Sequence, residues 1–285
     1  MTVLPAMAEA AVVGTGAVAV FDSGIGGLTV LRAIRDRLPQ EALVYVADQA
    51  HVPYGGRPAA EVAAFATGIT RFLSGLGVRL VTVACNSASG AALGELRARF
   101  PELPFVGMEP ALKPAVALSR SGVIGVLATP ATLDGQLYPE LRRRVAAEVT
   151  VLEDPCEGLV ACLESGDPDG PETRAILSRI ITPMLARGAD VLVLGCTHFP
   201  LALAAVRAIA GPGVMVLDPA PAVARRVEQV LEEGGGRLVS TGSGGLRLFT
   251  SGEPAVLERL ARRWLGDVPP VHGLVWVNGE LCLSP

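Results

Sequence analysis

Two cysteines stand where thiol chemistry is feasible. Residues 80–90 read LVTVACNSASG and residues 191–201 read VLVLGCTHFPL. Each is a continuous apolar run of strand length that ends on a cysteine, with small hydroxyl or amide residues and a helix-like stretch behind it. Cys85 and Cys196 are therefore predicted at the carboxyl ends of two buried strands, where open α/β sheets place their ligands. Two thiols presented from corresponding places in two halves of a chain suit a pair of acid/base groups facing one substrate. An ordinary thiol has a pKa of ~8.5, which a helix N-terminus or a nearby cation lowers, and such a thiol is a competent base near neutral pH. A free cysteine is more often an inert buried hydrophobe, and Cys156, Cys162 and Cys282 are read that way. The polar neighbours Asn86, Ser87, Thr197 and His198 set Cys85 and Cys196 apart.

Two further segments carry candidate chemistry. Residues 17–28, AVAVFDSGIGGL, deliver Asp22 and Ser23 from a strand into a glycine-rich turn that opens a helix. Backbone N–H groups at such a turn suit a carboxylate or phosphate, while capping of the helix by Asp22 or Ser23 accounts for the same residues. A dinucleotide fingerprint fails, because the pattern counted from Gly24 needs glycine where Thr29 stands. Residues 45–57, YVADQAHVPYGGR, place Tyr54 and Gly55 in a loop with free backbone amides and one phenol. Taken alone, that loop reads equally as an ordinary turn. Cys196 and His198 offer two zinc ligands where four are usual, so no metal is expected. A Cys–His acyl-transfer site, with His198 activating Cys85, is the main alternative from the residues themselves.

The elements that must position these groups follow from the apolar pattern. Strand-length runs recur at Ala17–Phe21, Ala42–Ala47, Leu80–Ala84, Phe105–Val106, Val123–Leu127, Val149–Leu152, Val191–Leu194 and Val214–Leu217. Their continuity fits strands covered on both faces, as in a mostly parallel sheet. Amphipathic segments lie between them; Leu28, Leu31, Ile34 and Leu38 make one helical face that Pro39 ends. Alternating strands and helices imply an α/β fold. Proline clusters at 108–114 and 217–221 mark crossovers between two α/β domains, each a mostly parallel sheet flanked by helices. The expected division is a leader at 1–15, a first domain of 16–110 plus 222–285, and a second of 111–221.

The 285 residues are 50% apolar and 18% charged, with a net charge of −4, which recommends neither a nucleic-acid nor an anionic-membrane partner. No charge-free stretch reaches the ~18 residues of a membrane span. The first basic residue is Arg32, so the apolar N-terminus lacks the positive region of a signal peptide. Five cysteines without CxxC spacing add to the expectation of a reducing cytoplasm.

With these segments in hand, the chain resembles the glutamate racemases of the cofactor-independent aspartate/glutamate racemase superfamily. The matching runs are FDSGIGGLTVL (21–31), PYGGR (53–57), ACNSAS (84–89) and LGCTHFPL (194–201), in the family's order. The resemblance implies two pseudo-symmetric α/β domains with the active site in the cleft between them. It implies that Cys85 and Cys196 are the catalytic thiols, with Asp22 and His198 tuning them, and that Cys85 serves the D-enantiomer and Cys196 the L-enantiomer. Asp22, Ser23, Tyr54, Gly55, Asn86, Ser87, Thr197 and His198 fall on substrate-binding positions, and Glu164 on a segment that assists His198. Ser87 stands where threonine is commoner and Phe199 where tyrosine is. The implied activity is interconversion of L- and D-glutamate without metal or organic cofactor, supplying D-glutamate for peptidoglycan, by a cytoplasmic homodimer. Racemisation of aspartate, hydantoin or another carbon acid, a Cys–His amidohydrolase and a ligand-binding protein are the alternatives.

Overall fold

The computed structural model describes residues 16–135, 137–234 and 244–284; the expected leader at 1–15 lies outside them. Eleven strands are present among the described residues. They are β1 (Val18–Asp22), β2 (Leu43–Ala47), β3 (Leu80–Val83), β4 (Phe105–Val106), β5 (Val123–Leu127), β6 (Thr150–Asp154), β7 (Val191–Leu194), β8 (Met215–Leu217), β9 (Leu246–Thr250), β10 (Val271–Val277) and β11 (Glu280–Leu283).

They form two sheets. The larger has the order β11-β10-β9-β2-β1-β3-β4 and the smaller β6-β5-β7-β8. Only the β10–β11 pair is antiparallel; every other pairing is parallel. The fold is α/β, as the continuous apolar runs imply. β1, β2, β3, β5 and β7 are buried almost throughout, because helices cover both faces.

Four strands of the large sheet, β2-β1-β3-β4, repeat the order of the whole small sheet, β6-β5-β7-β8. Each half starts on a central strand, steps to one side, then returns to the other side of the first. That reversal leaves a crevice at the carboxyl ends of the central strands, the usual ligand position in open α/β sheets. The cysteine follows the third strand by two residues in both halves, Cys85 after β3 and Cys196 after β7.

The strands after residue 245 do not appear among the sequence-based expectations. β9 reads LRLFT and β10 VHGLVWV, and along β10 more and less exposed positions alternate. β10 and β11 turn at Asn278-Gly279, both with positive φ. Asn-Gly between alternating segments is a strong hairpin signal, so WVNGEL did carry the information.

Three apolar clusters build the core. One unites β1 and the helix Leu28–Arg37 of the first half with Leu127, Leu152, Leu192 and Leu194 of the second. The others belong to one half each, around Phe21, Val83 and Phe249 and around Val126, Tyr138 and Val193. On one side, then, the halves share a greasy seam. On the other they meet through polar loops.

Candidate active site

β1 ends on Asp22, and the turn behind it is shaped by what leans on it. Asp22 is fully buried, and its Oδ2 accepts the N–H groups of Gly27 at 2.8 Å and Gly24 at 3.3 Å. Asp22 thus closes the turn ahead of the helix without capping it, and the turn's amides do hold carboxylates, both of them the chain's own. The second is Glu164, at the end of the helix Leu159–Glu164, whose Oε1 accepts the Ile25 N–H at 2.7 Å. The glycines permit this approach. A Cβ on Gly24 would run into Glu164 Oε1, and one on Gly26 would lie 2.7 Å from the His198 backbone nitrogen and collide with its ring.

Cys85 precedes the helix Asn86–Arg99 in extended conformation. It is 5% exposed, and burial first and the Asp22 carboxylate second push its thiol well above the ordinary range. The amide of Ala88 at the helix start works in the opposite direction and is outweighed. A thiol lowered by its helix N-terminus is therefore not what the structure holds at Cys85; an anionic neighbour in a dry site reverses the expectation. Burial also raises Asp22 above the usual carboxylate range, partly offset by His198.

Cys196 is 7% exposed, with its Sγ 3.8 Å from His198 Nδ1. His198 Nε2 lies 2.5 Å from Glu164 Oε1. Burial works against a charged imidazole, but the bonds to Cys196 and Glu164 and the charges of Glu164 and Asp22 prevail, raising His198 well above its usual value. Glu164 moves the other way. Burial raises it, and the hydrogen bonds from His198, Ile25 and Gln49 bring it below the ordinary carboxylate range. His198 is thus engaged with Cys196, whereas the Cys–His alternative paired it with Cys85.

Ser23, Tyr54, Gly55, Cys85, Asn86, Ser87, Cys196, Thr197 and His198 line one cavity together. Asp22 does not line it. It stands behind the wall beside Cys85 and accepts the Thr197 hydroxyl at 3.4 Å. The Tyr54 phenol is also turned away, donating to Asp48 at 2.7 Å, so the loop offers the cavity its ring and backbone. Asn86 presents both amide atoms, buried and without a hydrogen-bond partner. Ser87 meets Thr129 across the cavity mouth, the two hydroxyls 3.1 Å apart.

Thr129, Pro53 and Val160 complete the lining and are absent from the sequence-based candidates. Thr129 was findable, since it follows β5, the central strand of the second half, much as Ser23 follows β1. A larger groove of about 580 Å³ lies elsewhere, between the helices Leu28–Arg37 and Ala220–Glu233, and contains no cysteine.

Comparison with known proteins places the chain in a family. The Asp/Glu/Hydantoin racemase family model matches residues 28–227. A glutamate racemase of Roseiflexus sp. (strain RS-1) is 52% identical over 247 residues, 86% of this chain and 91% of the relative. One from Pseudomonas aeruginosa PAO1 is 46% identical over 264 residues, 92% and 99% of the two chains. Among solved structures, Escherichia coli glutamate racemase in complex with L-glutamate and the activator UDP-MurNAc-ala superposes with a TM-score of 0.79 at 32% identity, covering 88% of this chain and 95% of that one. By sequence and by fold, the chain belongs to the Asp/Glu/Hydantoin racemase family, and within it to the glutamate racemases.

Proposed function

We propose that this isomerase interconverts L- and D-glutamate by passing protons between the substrate Cα and two thiols, Cys85 and Cys196. The observation that carries the proposal is the meeting of these thiols on one cavity, each from the third strand of its own half and each backed by a different acid/base partner. In one direction a thiolate removes the Cα proton on one face, leaving its electron pair on the substrate as an enolate-like carbanion. The other cysteine, as a thiol, gives its proton to the opposite face. For the reverse reaction the roles exchange.

The flanking groups suit these steps. Cys85 is held as a thiol, ready to donate; to act as a base it must first lose its proton, and Asp22, whose own proton affinity is raised, stands beside it to take it. On the other face a charged His198, held by Glu164, exchanges a proton with Cys196. The unpartnered Asn86 amide, the Ser23, Ser87 and Thr197 hydroxyls and the Gly55 amide, all on residues that line the cavity, suit binding of the amino acid and its developing negative charge. Supply of D-glutamate for peptidoglycan, a reducing cytoplasmic location and a homodimer are proposed on the family resemblance. No described helix is long and apolar enough to cross a membrane.

The line Cys196–His198–Glu164 also has the shape of a nucleophile–base–carboxylate triad, so the test must separate proton transfer from acyl transfer. In D₂O, D-glutamate formed from L-glutamate is expected to carry deuterium at Cα from the first turnover, while unreacted L-glutamate stays protiated. Cys85→Ala and Cys196→Ala should each abolish racemisation in both directions. Proton NMR with chiral separation reads both. Early product retaining protium, or vigorous racemisation by either variant, overturns the two-thiol assignment.

A further inference from the structure

Glu164 uses its two oxygens differently. Oε1 serves His198 and the Ile25 N–H, while Oε2 accepts the Gln49 side-chain amide at 3.3 Å. Gln49 follows β2 by two residues, and its own carbonyl oxygen accepts the Thr250 hydroxyl at 2.9 Å. The Thr250 hydroxyl in turn accepts the Gly252 N–H at 3.0 Å. A carboxylate can only accept, so the amide must present its NH₂ to Glu164 and its carbonyl to Thr250. The chain of bonds therefore has one polarity: Thr250 to Gln49 to Glu164, with His198 donating to the same carboxylate.

The fold explains why these groups meet. β2 and β9 pair in parallel with Ala47 opposite Thr250, so the chain beyond both strands emerges side by side at the cleft. Gly252 packs so closely on the Gln49 Cβ that a side chain there would lie 2.8 Å from it, which holds Gln49 from a third side. The C-terminal segment, beyond the residues 28–227 that the family model matches, thus reaches the site without lining it.

We propose that Gln49, oriented by Thr250, is a positioning residue that holds Glu164 against His198 and so sets the proton affinity of the imidazole beside Cys196. The proposal rests on the proton-transfer role of His198 given above. Groups bearing on His198 are Cys196 on its own loop, Glu164 on the helix Leu159–Glu164 and Asp22 at the end of β1. Of these, Glu164 is the one Gln49 touches. Its donor fixes the carboxylate with Oε1 at hydrogen-bond distance from the ring, and a carboxylate held there favours the imidazolium. Removing that donor lowers the pKa of His198, and the acid form is then lost at lower pH. At 3.3 Å the bond is long, so the effect is modest.

Gln49→Leu and Thr250→Val test this, with racemisation profiles and with ¹⁵N NMR of a chain that has three histidines. In Gln49→Leu the titration midpoint of His198 should fall by about half a pH unit, from the loss of one hydrogen bond to a charged group. The alkaline limb of the kcat profile should move acidward with it, and kcat should drop about fivefold with KM little changed. Thr250→Val should move both readouts in the same direction by less. An unmoved His198 midpoint and profile in both variants, with or without a loss of thermal stability, overturns the proposal, as does a rise in KM at constant kcat. The wild-type chain is assayed beside them. If it does not racemise glutamate, the functional proposal fails, while the NMR midpoint still decides the role of Gln49.

Discussion

At Cys85 the strongest charge acting on the thiol is the Asp22 carboxylate, and at Cys196 the neighbouring group is the His198 imidazole, 3.8 Å away. Two identical side chains thus line one cavity with opposite kinds of support. The enantiomers of glutamate have equal free energy, so kcat/KM must be the same in both directions whatever this asymmetry; it can appear in kcat and KM separately. Asp22→Asn should separate its two effects on Cys85. Without the carboxylate the thiol pKa falls, the thiolate fraction at pH 8 rises, and alkylation of Cys85 by iodoacetamide should accelerate about tenfold. Racemisation should nevertheless fall about a hundredfold, because the group that takes the Cys85 proton is gone. Peptide mass spectrometry reads the alkylation, with the buried Cys156, whose thiol burial holds far above its usual range, as an internal control for unfolding. Slower alkylation of Cys85, or undiminished racemisation, contradicts the assignment.

Among the elements, the glycine-rich turn after β1 is where the sequence was easiest to misjudge. Its spacing suited either a bound carboxylate or phosphate or a helix cap, but its amides bind Asp22 and Glu164, and its missing side chains make room for His198 and Glu164. Gly26→Ala should therefore cost about a hundredfold in kcat/KM, since a displacement of about 1 Å at a catalytic group has effects of that size. Gly56→Ala, at a position with nothing within 4 Å of the added carbon, should leave the rate within about twofold. Comparable losses in both variants would show that the turn is merely fragile. Much of the site was legible because the proposed catalytic residues sit where apolar runs stop: β1, β3 and β7 end beside Asp22, Cys85 and Cys196. What escaped reading lies far apart in sequence and is joined only by folding. Glu164 reaches Ile25 across 139 positions and Thr250 reaches Gln49 across 201, and no local periodicity encodes such meetings. β9 and β10 escaped for a different reason. They lie toward one edge of the sheet, where partial exposure admits Arg247 in β9 and His272 and Gly273 in β10, so that neither strand is apolar throughout.

For the molecule as a whole, the uneven seam between the halves suggests how substrate enters. The shared apolar cluster joins β1 and its helix to the second sheet and resists separation, because parting it would expose large side chains to water. The opposite margin is small and polar, with Ser87 against Thr129 and Gly55 beneath the Thr129 side chain. The cavity has only about 20 Å³ of interior accessible to water-sized groups, room for about one water. Glutamate is several times larger, so the structure is a closed form whose polar margin must part. The chain passes between the halves after β4 and again after β8, so opening is expected as a rotation about these two crossings along the apolar seam. A Cβ on Gly55 would lie 2.9 Å from Thr129 Cβ, a clash that exists only when the margin is shut. Gly55→Ala should therefore weaken closure without touching either half's core. kcat/KM should fall about tenfold, while the melting temperature stays within about 2 °C of wild type. Small-angle X-ray scattering should show wild type contracting on addition of saturating glutamate and the variant contracting less. Equal contraction and equal rates in the two proteins would mean that the margin does not open, and that substrate reaches Cys85 and Cys196 by another route.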